Sequence, residues 1–148
     1  MTKEKNNLYY VCSLIEFTGR MTKNRNKELV KMIGVDELER QLSVADLNHC
    51  LTFEQVSSEL IEDFNILPGE FDSVLNCKYI VPNEIAIGSV YADLILDIKK
   101  NSSKTSAQIM YEVFTSFISD EISNFNNAVY YENSSYIYHS YLAGKLLE

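Results

Sequence analysis

A chain of 148 residues with only five glycines and two prolines has few places to turn sharply. An all-β domain needs a turn roughly every ten residues, and glycine and proline supply most of the backbone conformations such turns demand. Their scarcity points to helices joined by few connections. The apolar pattern agrees, because Leu8, Val11, Cys12, Leu14, Ile15 and Phe17 recur at three- and four-residue steps, which gathers them on one face of a helix.

That first helix is expected over residues 8–18, ended by Gly19, with the polar residues 1–6 disordered. A short second helix buries Leu29, Val30, Met32 and Ile33 and closes at Gly34. A third begins near Val35, where Asp36 and Glu37 meet the positive end of the helix dipole, and it buries Leu38, Leu42, Ala45 and Leu47. Thr52 and Gln55 have the spacing of a capping box, so a fourth helix should run to about Asn65 with Phe53, Val56, Leu60, Ile61 and Phe64 inward. Residues 65–82 contain Pro68-Gly69 and read as irregular, with one helical turn near 71–75 and an apolar run, Tyr79-Ile80-Val81, too short to assign. Ile85, Ile87, Val90, Tyr91, Leu94, Ile95 and Ile98 form the face of a fifth helix. A long sixth, capped by Ser103 or Thr105, carries Ile109, Val113, Phe114, Phe117, Ile118, Ile122 and Phe125. The stretch 130–146 is a seventh helix or an ordered extension. The expected fold is an all-α, single-domain bundle of six or seven helices across residues 1–148.

A hydrophobic share of 46% demands a packed core and excludes a disordered chain. The longest nearly apolar run, residues 9–15, is far short of the roughly 20 residues that span a bilayer as a helix, and no signal-peptide core follows the amino terminus. A cytoplasmic protein without a membrane segment is expected. Three unpaired, widely spaced cysteines, Cys12, Cys50 and Cys77, suit buried reduced thiols. Leu147 and Glu148 have the character of a cloning remnant and receive no function.

Charge is uneven. The chain has 13 basic and 21 acidic side chains, a net charge of -8, yet residues 1–34 carry a surplus of base. Arg20, Lys23, Arg25, Lys27 and Lys31 could contact phosphates, since such side chains displace counterions from nucleic acid. The ordinary alternative is a solvated helix face, favoured by the overall negative charge and by the want of a glycine-rich phosphate loop. Residues 45–66 also allow a helix-turn-helix reading. Its second helix, however, presents Glu54, Glu59, Glu62 and Asp63 where a DNA reader needs arginine or lysine.

Catalytic and metal signals are thin. His49 and Cys50 are adjacent, and neighbours on a helix point about 100° apart, so imidazole and thiol cannot face each other as nucleophile and base. His49, Cys50, Cys77 and His139 are metal-ligand types without the close pairs that mark a zinc site. Paired carboxylates such as Asp120-Glu121 arise by chance in so acidic a chain. No catalytic residue, metal ligand or cofactor is assigned.

The carboxy-terminal stretch is different. Tyr130, Tyr131, Tyr136, Tyr138 and Tyr141 are half of the ten tyrosines, packed into twelve residues with Glu132 and His139 among them. Tyrosine favours interfaces because its ring offers large area and its hydroxyl one hydrogen bond. A protein-binding surface, including a homodimer contact, is one reading of Tyr130, Tyr131, Glu132, Tyr136, Tyr138, His139 and Tyr141. A tail packed back on the helical core is the other.

Taken together, residues 8–34 (LYYVCSLIEFTGRMTKNRNKELVKMIG), 45–50 (ADLNHC), 85–91 (IAIGSVY) and 129–145 (VYYENSSYIYHSYLAGK) resemble a family of small uncharacterised bacterial proteins. Members occur near toxin-like genes of the ADP-ribosyltransferase kind, and the family carries no established catalytic residues. The resemblance implies an accessory or neutralising partner of a toxin-like enzyme. Small helical ribonucleases of the HEPN class place a histidine shortly after an arginine, and none of Arg20, Arg25 or Arg40 is so followed. The expected function is an antitoxin-like or regulatory protein-interaction module. The alternatives are a nucleic-acid-binding regulator using residues 20–31 and an enzyme of unrecognised type.

Overall fold

Thr2 accepts a hydrogen bond from the Lys5 backbone N–H at 3.2 Å and so caps α1 (Lys3–Thr22), the central helix of a computed structural model that describes residues 2–148. The expected disorder of residues 1–6 falls partly on Met1, which lies outside the described residues. From Lys3 onward the chain is helical and is anchored by Lys3–Asp46 at 2.9 Å and Lys99–Glu4 at 2.5 Å. Nor does α1 stop at Gly19. Thr18, Gly19 and Thr22 are all buried, so packing carries the helix one turn further, and Lys23 takes the left-handed cap (φ 58°, ψ 38°) instead.

α2 (Asn26–Asn48) is broken by Gly34, whose φ of 82° and ψ of 171° only glycine adopts without strain, and the two halves correspond to the second and third expected helices. Leu47, expected in the core, is 73% exposed at the far end of the second half. α3 (Phe53–Asp63) begins with the full Thr52–Gln55 capping box and buries Val56, Ser57 and Leu60. The connection that follows contains no helix, and the turn anticipated near residues 71–75 is a hydrogen-bonded turn in which Asn76 N–H reaches Asp72 O at 3.0 Å.

α4 (Glu84–Lys99), capped by Asn83, lies along α1 and makes the largest helix pair of the fold. The expected sixth helix is two: α5 (Ser106–Phe114) and α6 (Phe117–Ser123). Thr115 Oγ1 donates to Tyr111 O at 2.7 Å and Ser116 Oγ to Val113 O at 2.7 Å, while Ser116 also caps Ile118. The Ser116 hydroxyl thus occupies the Val113 carbonyl that the Phe117 N–H would have bonded in a continuing helix, while Tyr111 O accepts the Thr115 N–H at 3.1 Å as well as its hydroxyl. A 3-10 turn (Val129–Tyr131) leads to α7 (Ser134–Ala143), started by Asn133 and ended by Gly144.

The described residues form an all-α bundle of seven helices, with no strand among them. Its core joins Leu8, Val11, Leu14 and Ile15 of α1 to Ile87, Leu94 and Ile95 of α4 and to Ile109, Val113 and Phe114 of α5. Tyr91 stacks on Phe114 at 4.1 Å, and its buried hydroxyl lies 3.0 Å from Ser119 Oγ. Cys12 is buried as expected, whereas Cys50 is exposed and Cys77 half-buried. No helix among the described residues is long and apolar enough to cross a membrane.

Candidate functional site

The connection between α3 and α4 leaves its apolar residues outside. Ile80 is 91% exposed and Tyr79 68%, and with Pro82 and Val90 they face Tyr130 and Tyr131 across a cleft of about 930 Å3. Tyr131 is 81% exposed. No charged side chain lines this cleft.

Each wall is fixed from below. Arg20 Nη2 donates to Pro82 O at 2.7 Å and Nη1 approaches Glu84 at 3.6 Å, which ties the start of α4 to α1. Asn126 holds the other end of the strap: its Nδ2 donates to Asn76 O at 2.9 Å and its Oδ1 accepts the Lys78 N–H at 2.8 Å. Tyr130 packs edge-on against the buried Phe125 at 5.8 Å and Tyr131 leans on Tyr130 at 5.1 Å. Desolvation raises the Tyr130 hydroxyl above its ordinary pKa, so it stays a neutral hydrogen-bonding group. The cleft is therefore a fixed, uncharged, aromatic-walled recess.

The tyrosine-rich segment divides between the two readings the sequence allowed. Tyr130 and Tyr131 face the cleft, while Tyr136, Tyr138 and Tyr141 are half-buried against the core behind Ile137. The Tyr136 hydroxyl donates to Leu147 O at 2.8 Å, and Ser140 Oγ accepts the Leu147 N–H at 3.1 Å, so the backbone of Leu147 is held to α7. Burial, then the neighbouring Glu112, raises the Tyr141 pKa. Glu132 and His139 are exposed, and the His139 ring lies against Tyr138 with Nδ1 2.8 Å from Ser135 O.

The basic segment does not form a patch of free cations. Arg20 is nearly buried, bonded through Nε to Glu16 at 2.7 Å. Arg25 and Lys27 both pair with Asp120, at 3.7 and 2.6 Å, Lys23 pairs with Asp72 at 3.9 Å, and Lys31 with Glu28 at 3.9 Å. Among the described residues, ten of the thirteen basic side chains lie in ion pairs with ten of the twenty-one carboxylates. Lys5, Lys78 and Lys145 stand outside those pairs. The surplus of negative charge gathers on α2 beyond its kink and on α3, where Asp36, Glu39, Glu54, Glu59, Glu62 and Asp63 are exposed. The fields of Asp63 and Glu59 reach Arg40 and, behind its bond to Glu37, help hold it protonated, so carboxylates of α3 lie near this part of α2.

The His49 ring lies tilted against Tyr10, centroids 4.5 Å apart, and the Cys50 thiol beside it in sequence is exposed. Among the described residues no three His, Cys, Asp or Glu side chains converge on a metal-sized point. One wall of the cleft, Tyr130 and Tyr131, is legible in the sequence, and the other is not. The missed signal was Tyr79-Ile80-Val81 itself, a large apolar run belonging to no helical stripe, which a packed chain has no internal use for.

Comparison of the chain with protein-family models, with curated proteins and with solved structures finds no match.

Proposed function

We propose that the chain is a protein-interaction module, an antitoxin-like or regulatory partner, built on the tyrosine-walled cleft and the acidic face of α2 and α3. The observation that carries this reading is the cleft: Ile80, Tyr79 and Tyr131 stand in solvent grouped around one recess, whereas the other strongly exposed apolar side chains, such as Leu47, Leu67 and Leu75, lie outside it. Grouped exposure of large apolar side chains marks a contact surface rather than a loose end. Two tyrosines on one wall add area at little entropic cost. The lining offers hydroxyls and ring faces but no carboxylate, imidazole or amine beside them to activate a hydroxyl, which suits binding. The acidic face complements it, because exposed carboxylates steer a basic partner and cover basic active sites. A toxin-like enzyme in a bacterial cytosol, as the family resemblance implies, is the partner of that chemistry. The nucleic-acid alternative loses support, since each side chain it needs has a carboxylate of the chain beside it, with Asp120 serving both Arg25 and Lys27.

Affinity capture at low salt tests the proposal, with the intact chain compared against Ile80→Asp and against Glu59→Lys/Asp63→Lys. A protein retained by the intact chain, lost in one or both variants and released by raised salt is the expected result. Retention of the same proteins by all three chains would overturn it.

A further inference from the structure

We infer that the cleft is filled by a second copy of this chain, joined across a two-fold axis, which leaves the acidic face free for the unlike partner. The inference rests on the reading of the cleft as a protein-contact surface and names its occupant. Three features of the patch point to self-association. Knob and hole share one rim: Ile80 projects almost entirely into solvent and is itself part of the wall of a recess of about 930 Å3, whose other walls include Val90 and Tyr131. An isologous interface requires that pairing, because each copy must offer both the protrusion and its receptor from one surface.

The second feature is charge. A like copy of net charge -8 is repelled by most of this molecule, and the cleft lining is uncharged while the surplus carboxylates sit on α2 and α3. The third is the rim. Lys78, one of the three lysines outside any ion pair, directly precedes Tyr79, and Glu132, an exposed carboxylate also outside any pair, directly follows Tyr131. Under two-fold symmetry a contact of residue i with residue j is matched by j with i. Lys78 and Glu132 thus supply two equivalent ion pairs, one at each end of the buried recess, and a rim pair of this kind fixes register more than it adds affinity.

Light scattering over a dilution series of the full chain tests the inference. The expected mass is twice the 17.0 kDa of one chain, falling to 17.0 kDa in Ile80→Asp and shifting toward it in Lys78→Glu and in Glu132→Lys. The double exchange Lys78→Glu/Glu132→Lys restores the larger mass. All of these side chains are exposed, so helicity by circular dichroism should be unchanged. Raised salt distinguishes the occupants, since it weakens a basic partner's hold but relieves repulsion between two acidic copies. A 17.0 kDa mass at every concentration, or a dimer that survives Ile80→Asp, overturns the inference. If the monomer still captures an unlike protein in an Ile80-dependent way, the interaction reading stands and only the second copy is lost. If it captures none, both fall.

Discussion

Arg20 illustrates how one side chain connects core and cleft. Its guanidinium holds Glu16 at 2.7 Å, donates to Pro82 O at 2.7 Å and lies over the Phe125 ring at 5.2 Å, while Glu16 also accepts the Asn26 side-chain N–H at 2.8 Å. Glu16 is 3% exposed, so removing its cation strands a charge in a place water cannot reach. Arg20→Ala should therefore lower stability by about 3–5 kcal/mol in urea titration, and Arg20→Lys should recover little, because an ammonium cannot make the same planar set of bonds. A loss under about 1 kcal/mol, the range of surface pairs, would refute the assignment. Read linearly, Arg20 belonged to a basic run. The clue to its real place was Glu16 one helical turn earlier on the buried side, a pairing that charge counts overlook. Tyr9 offers a second test at this scale. Its hydroxyl donates to Asp93 at 2.5 Å, and burial, then that carboxylate, pushes its pKa up to about 12 from an ordinary 10.0. The fold favours the protonated phenol, so the stability it contributes is complete below pH 10 and fades as pH rises toward 12. Tyr9→Phe should flatten that alkaline decline and remove one late tyrosinate step in ultraviolet titration. An unchanged decline would show that Tyr9 is not its source.

The helices themselves were largely legible, because amphipathic stripes are a direct record of which face is buried. The caps at Thr52, Thr105, Asn133 and Gly144 and the break at Gly34 follow from local chemistry alone. The split between α5 and α6 was not legible, since Val113, Phe114, Phe117 and Ile118 keep the stripe in register across it. Only Ser116, whose hydroxyl takes the Val113 carbonyl and caps the next helix, marks the interruption. Packing between elements was hidden as well. Gly88 of α4 meets α1 so closely that a methyl there would stand 2.7 Å from Ser13 N and 2.8 Å from its Cα. Those are backbone atoms of the central helix and cannot swing aside. Gly88→Ala, which improves helix propensity, should still destabilise by about 1–3 kcal/mol through overpacking, read as a lowered thermal midpoint. A stabilised variant would mean that α1 and α4 can separate freely.

At the scale of the molecule, the distribution of charge decides which partners fit. Net charge and its amino-terminal bias were visible in the sequence, but whether the cations were free was not, because their carboxylates come from distant segments: Asp72 for Lys23, Asp120 for Arg25 and Lys27. With the basic segment so engaged, the chain should show no salt-sensitive affinity for DNA or RNA, and a steep fall in binding with salt would reinstate the nucleic-acid alternative. The tyrosine segment was likewise half legible. Composition left surface and packed tail both open, and Ile137 and Ser140 are buried beneath the segment, so deleting α7 would damage the core and point substitutions are the cleaner probe. The most direct test of the contact surface is a photo-crosslinking residue placed at Ile80 or Tyr131, with Glu59 on the acidic face as comparison. Adducts at the two cleft positions with a second polypeptide, running near twice 17.0 kDa when that polypeptide is another copy, are the predicted result. Failure of both cleft positions to join any other chain would contradict the account.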